Sequence, residues 1–190
     1  MNRLSTSLSV AALALAGLAL SAEDFMPLMK TTQATWPEKR HIGVICNFRT
    51  SQSQILALAR AAGEGSLITV ADTRSADQSS AAAHLLANQK ADFVVLMPED
   101  HTFRDGTFAA TVAVNRLASR GVPAIGTKPA AIRQGAVFSV GEGTEGQLLV
   151  NDRLIGTVDV ILPDPAKASA KASLVLKREG MATIAVHKAK

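Results

Sequence analysis

Along the chain, short continuous apolar runs alternate with stretches whose apolar residues recur every three to four positions. Residues 42–46 form the first β-branched run. Residues 51–62 follow, with Ile55, Leu56, Leu58 and Ala59 on one helical face and Gly63 and Gly65 at the end. A second strand is predicted over 67–71. Residues 75–89 predict a helix, opened by the capping types Ser75 and Asp77 and carrying Ala82, Leu85 and Leu86 inward. The run over 92–97 predicts a third strand, stopped by Pro98. Residues 107–120 predict a helix with Phe108, Thr111, Val112, Asn115 and Leu117 over successive turns and Gly121 at its end. A strand over 122–126, one helical turn over 130–134 and a fifth strand over 136–140 complete the series.

Continuous apolar strands, rather than alternating ones, fit a sheet covered on both faces. The pattern therefore predicts an α/β three-layer sandwich with a central, mainly parallel five-stranded sheet over residues 41–146. Ahead of it, Phe25, Leu28 and Met29 stand at helical spacing, so 23–40 reads as a short helix or lead-in arm broken at Trp36-Pro37. Beyond it the rhythm is lost. Residues 147–162 read as a helix followed by a strand, or as a hairpin turning near Asn151-Asp152. Residues 174–177 and 181–186 flank Arg178-Glu179-Gly180 and predict a terminal β-hairpin, making 147–190 a C-terminal extension.

The first residues bear on the compartment. Arg3 supplies a positive start, an apolar stretch covers 8–20, and the small residues Ala19, Ser21 and Ala22 close it. This is the layout of a secretory signal peptide over 1–22, cleaved near Ser21 or Ala22, and it predicts export to the periplasm. The stretch is shorter than the roughly 20 apolar residues a spanning helix needs. A formal net charge of +4 and only 4% aromatic residues argue against nucleic-acid binding, which relies on clustered basic charge and stacking rings. Cys46 is the single cysteine and lies within an apolar run, so it reads as a buried side chain.

In an open parallel sheet, ligands gather beyond the carboxyl ends of the strands. Asn47, Arg49, Thr50, Ser51 and Ser53 follow the first strand, Asp72 and Thr73 the second. Pro98-Glu99-Asp100-His101-Thr102 follows the third and Gly126-Thr127-Lys128 the fourth. These side chains suit a small polar solute; equally, polar residues at strand ends cap helices. Gly141-Glu142-Gly143-Thr144-Glu145-Gly146 spells a phosphate-loop pattern, but after the wrong strand and with two carboxylates in it, so it reads as a turn. No paired His or Cys spacing announces a metal, and no nucleophile motif is present, so neither a catalytic residue nor a cofactor is predicted. The chain is read as a non-enzyme.

From residue 42 to about 146 the chain resembles one lobe of the periplasmic substrate-binding proteins of ABC importers, in the group with two flavodoxin-like lobes. The likeness rests on Gly43-Val44-Ile45-Cys46-Asn47 with Ser51 and Ser53, on Ala91–Thr102, on Gly121–Thr127 and on Arg133–Gly141. It implies that Asn47, Ser51, Ser53, Asp100, Thr102 and Thr127 face a ligand, an amino-acid-like solute. The chain departs from the family at Thr127-Lys128-Pro129, and it carries one lobe of the two. The resemblance thus implies solute binding by a single lobe or a homodimer, with an inner-membrane permease as partner. The alternative is a periplasmic interaction or regulatory module that contacts an envelope protein.

Overall fold

The structure, a computed structural model, describes residues 22–140, 148–151 and 154. The expected signal peptide, the glycine-rich turn after residue 140 and the terminal hairpin lie outside the described residues. The elements run α1 (Ala22–Thr35), β1 (His41–Cys46), α2 (Phe48–Ala62), β2 (Leu67–Asp72), a 3-10 turn (Ala76–Gln78) and α3 (Ser79–Asn88). They continue with β3 (Phe93–Leu96), α4 (Phe108–Ala118), β4 (Ala124–Ile125), α5 (Ala130–Gln134), β5 (Phe138–Val140) and β6 (Leu148–Val150).

Four strands form a parallel sheet in the order β2-β1-β3-β4. Alternation along each strand separates two buried faces. Ile42, Val44 and Cys46 of β1 and Phe93, Val95 and the following Met97 pack with α1 and α2. Ile45 and Val94 pack with α3 and α4. The three-layer α/β architecture expected from continuous apolar runs is therefore present. Gly43 lets α3 approach β1: a Cβ there would lie 2.9 Å from Val94 Cγ2 and 3.0 Å from Leu86 Cδ1.

The fifth strand differs in its partners. β5 pairs antiparallel with β6 and meets the main sheet through a single parallel bridge, Gly126 with Ser139. Two backbone bonds support that junction, Gly126 N–H to Phe138 O and Val137 N–H to Ala124 O. β4 is only two residues long before the chain turns at Gly126, so it offers β5 too little extended backbone for a ladder. β6 also settles the start of the C-terminal extension: residues 148–150 are a strand.

The helix faces match expectation in part: Leu58, Ala82, Leu86 and Leu117 are buried as expected, but three large residues are not. Leu56 (58% exposed), Leu85 (46%) and Phe108 (80%) all point outward. The buried faces are rich in alanine: Ala57, Ala61 and Ala62 in α2, Ala82 and Ala83 in α3, and Ala109, Ala110 and Ala113 in α4. Small residues allow close helix–sheet approach, and the sheet supplies the bulk. Ahead of β1, α1 runs for 14 residues with Phe25, Leu28 and Met29 buried. It is sustained by packing against α2 rather than by its own propensity, since Pro27 sits inside it. It ends at Trp36, whose ring lies 6.0 Å from that of Phe93 and 5.8 Å from that of Phe138.

Candidate functional site

The carboxyl ends of β1, β3 and β4 open on one edge, and two buried carboxylates organise it. The first is Asp100. Its Oδ1 accepts the backbone N–H of Thr102 at 2.9 Å and of Phe103 at 2.7 Å. Its Oδ2 accepts the Asn47 N–H at 2.7 Å and the Ser51 hydroxyl at 3.4 Å. One side chain thus ties the β3–α4 loop to the start of α2. Gln54 of α2 reinforces the tie, donating to Glu99 Oε2 at 3.2 Å and accepting the Glu99 N–H at 3.4 Å.

The first turn of α2 is closed to anions. Phe48 N–H goes to Asp72 Oδ1, Arg49 N–H to Asn47 Oδ1, and the Thr50 and Ser51 N–H groups to Asn47 O. A helix N-terminus binds phosphate or carboxylate only where such donors stay open. Asn47 therefore serves as the N-cap of α2, half-buried at the rim.

The second carboxylate is Asp105. Its Oδ2 accepts from Thr127 N–H at 2.8 Å, from the Thr127 hydroxyl at 3.2 Å and from Lys128 N–H. It clasps the β4–α5 turn to the same loop that Asp100 clasps to α2. Gln134 spans the remaining gap, accepting Gly106 N–H and donating to Thr107 O and Thr111 Oγ1. The other Asp105 oxygen, Oδ1, is buried and unpartnered. Burial pushes the Asp105 carboxyl from 3.8 up to about 6, against the pull of the Thr127 and Lys128 donors and the Lys128 charge.

That raised value has a consequence with a definite sign. The folded state holds the Asp105 proton more tightly than the unfolded chain, so this group costs stability when ionised. The cost is full above about pH 6 and disappears as pH falls to the ordinary carboxylate range near 3.8. About two pH units correspond to about 3 kcal/mol. Relative to Asp105→Asn, the wild-type protein should gain stability by up to that amount between pH 7.5 and pH 4 in urea unfolding. A difference between the two proteins that stays flat with pH would reject the assignment.

The six ligand-facing residues expected from sequence divide three ways. Asn47, Ser51, Asp100 and Thr102 share one hydrogen-bonded cluster, in which Ser51 and Asp100 are buried and Asn47 and Thr102 half-buried. Thr127 belongs to the Asp105 clasp. Ser53 is exposed on α2 and joins neither. Asp105 and Gln134 were not anticipated: Gln134 reaches partners 27 and 23 residues away, and no spacing rule marks either residue. Arg49, Arg104 and Lys128 are exposed on the same edge, beside the exposed carboxylates of Asp72 and Glu99.

Cys46 lies beneath this edge, and burial pushes its thiol up to about 12, so it is a packed side chain rather than a nucleophile. Among the described residues no group of three or more His, Cys, Asp or Glu side chains could hold a metal ion. Among them, too, no helix is long and apolar enough to cross a membrane.

No family model matches the sequence, and no curated protein matches it. Solved structures do. A conserved domain protein from Vibrio cholerae O1 biovar El Tor is similar with a TM-score of 0.58 at 18% identity, over 82% of this chain and 60% of that one. The ABC domain in complex with L-Trp from Streptococcus pneumoniae is similar with a TM-score of 0.52 at 17% identity, over 65% of this chain and 40% of that one. The chain spans less than two thirds of either protein. At these identities the likeness is one of fold alone.

Proposed function

We propose that this chain is a solute-binding lobe that takes a small polar, amino-acid-like solute at the carboxyl edge of β1, β3 and β4. The observation that supports it most is the pair of buried carboxylate clasps, Asp100 and Asp105, which fix three strand-end loops against one another. Rigid loops at this edge are what a small-ligand site requires. Exposed Arg49, Arg104 and Lys128 suit the carboxylate of such a solute, and half-buried Asn47, Thr102 and Thr127 offer hydrogen bonds. The shared fold with a domain solved with L-Trp supports the same reading. One lobe forms one wall, and a second lobe or another chain would cover the solute. Export to the periplasm and delivery to an inner-membrane permease belong to this proposal, as does the absence of a catalytic step.

A second reading, an envelope protein-interaction module, is favoured by Phe48 and Phe108, both exposed at the first positions of the helices that rise from this edge. Thermal unfolding separates the two. A solute at 100 times its Kd stabilises the folded state by about 2.7 kcal/mol, or roughly 5–10 °C for a domain of this size. Across a panel of amino acids and small carboxylates, at least one should raise the melting temperature, and Arg104→Ala should remove the rise. A panel without any shift, together with capture of one envelope protein lost in Phe108→Ala, would decide for the interaction module.

A further inference from the structure

We propose that the β4–α5 turn, residues 127–130, is a proton-operated latch, shut while Asp105 carries a proton on Oδ1 and freed to swing out when that proton leaves. Asp105 is 8% exposed and stands where this turn meets the β3–α4 loop. The donors it receives all go to Oδ2, from the Thr127 and Lys128 N–H groups and the Thr127 hydroxyl. Oδ1 is buried and has no donor among the described residues. A proton on Oδ1 leaves Oδ2 able to keep its three donors and removes charge from a place water does not reach. Loss of that proton strands charge on a buried oxygen without a partner, which costs free energy until the carboxylate meets water.

The side that yields is the turn. The β3–α4 loop is pinned by Asp100, which accepts the Asn47, Thr102 and Phe103 N–H groups, and by the fully buried Phe103. Thr127, Lys128, Pro129 and Ala130 are exposed or half-buried, between the two-residue β4 and the five-residue α5. Among the described residues, the other side-chain bonds at this turn run from Ser139 Oγ to Lys128 O and from Thr127 Oγ1 to Leu96 O. Ser139 belongs to β5, which meets the main sheet through the single bridge to Gly126. An opened turn therefore also loosens the seat of β5 and β6.

The titratable groups on the surrounding elements are Lys128 in the turn, Arg133 in α5, Arg116 in the last turn of α4, and Glu99, Asp100, His101 and Arg104 in the β3–α4 loop. Of these, Lys128 has the charge that acts on Asp105, and it favours the ionised form. Burial outweighs it, together with the Thr127 and Lys128 donors, and holds the closed carboxyl at about 6. Once the turn swings out, the carboxyl is solvated and returns to the ordinary range near 3.8. The closed form thus prefers the proton, and opening becomes easier as pH rises. The opening constant grows about tenfold per unit from pH 4 to pH 6 and then levels off, a rise on the order of a hundredfold in all.

This inference does not rest on solute binding. Native-state hydrogen exchange followed by NMR from pH 4 to pH 7.5 tests it at the Thr127 and Lys128 amides, without any ligand. Corrected for the intrinsic chemical rate, their opening constants should follow that rise. Low urea should leave them unchanged, since a local opening exposes little surface. The Val94 amide, bonded to Pro123 O within the sheet, should exchange more slowly and with full urea dependence. Asp105→Asn should make the Thr127 and Lys128 profiles flat. Lys128→Ala alters an exposed side chain, so it should fold, and it should move the levelling point to higher pH. Thr127 and Lys128 amides that exchange only together with Val94, by global unfolding, would overturn the proposal. So would a wild-type profile flat with pH, one that Asp105→Asn retains, or a levelling point unmoved in Lys128→Ala.

Discussion

Replacing Asp100 by alanine should remove about 4 kcal/mol of stability and lower the melting temperature by roughly 10 °C, in the absence of any ligand. The carboxylate accepts three backbone N–H groups, those of Asn47, Thr102 and Phe103. Truncation leaves all three without an acceptor at a site where Asp100 itself is 2% exposed and Phe103 is fully buried. Each orphaned buried donor costs about 1–3 kcal/mol, the upper part of that range where water has no access. Phe103 stands at that upper end, while Asn47 and Thr102, being half-buried, recover part of the loss from solvent. Asp100→Asn should fall between the two, because its amide oxygen still accepts while its NH2 faces donors. Urea unfolding followed by circular dichroism measures the change. A loss under 1 kcal/mol would mean that the carboxylate is not the hub of these loops.

Gly126→Ala should be the second severe change, costing about 3 kcal/mol or more. A Cβ at Gly126 would stand 2.0 Å from the Ala131 Cβ, a separation no pair of carbon atoms can hold. Ala131 is buried in α5, packed with Leu96, Ala110, Val114, Ala124 and Ala136, so it has nowhere to retreat. The strain would fall on the β4–α5 turn. That turn carries the bond from Gly126 N–H to Phe138 O and the Thr127 and Lys128 donors to Asp105. The reason is steric rather than conformational, because Gly126 has no positive φ. Rescue tests this directly: Ala131→Gly placed in the Gly126→Ala background should recover a large share of the loss, giving a coupling energy of about 1–3 kcal/mol in a double-mutant cycle. Independent, additive effects would show that the two Cβ positions do not compete.

The layer architecture was legible because its signal is local. A run such as Phe93–Leu96 is apolar at every position and is buried at every position. Helix orientation was less so. Leu56 and Leu85 outweigh their alanine neighbours on any hydrophobicity scale, yet the faces turned to the sheet carry Ala57, Ala61, Ala82 and Ala83 beside Leu58 and Leu86. The short parallel junction of β5 depended on where β4 stopped, which apolar content alone does not mark.

The site followed the same division. Its edge was predictable from strand direction, and Asn47, Asp100 and Thr127 do lie there. Their roles were not, because they depend on partners far along the chain. Asp100 meets Asn47 across 53 residues and Asp105 meets Thr127 across 22. A carboxylate that accepts backbone donors and one that faces a ligand look alike in sequence. Only the fold shows that Asp100 has both oxygens engaged and that Asp105 has one left over.

Trp36 makes the junction of α1 with the sheet observable on its own. The chain has one tryptophan and no tyrosine, so its near-ultraviolet emission comes from this single indole. The ring rests between Phe93 and Phe138, with the Lys39 ammonium 5.5 Å from its centre. Fluorescence therefore reports departure of α1 from β3 and β5, whereas far-ultraviolet dichroism averages over every helix. Two superimposable unfolding curves would mark α1 as integral to the cooperative unit; an earlier fluorescence transition would mark it as a detachable brace.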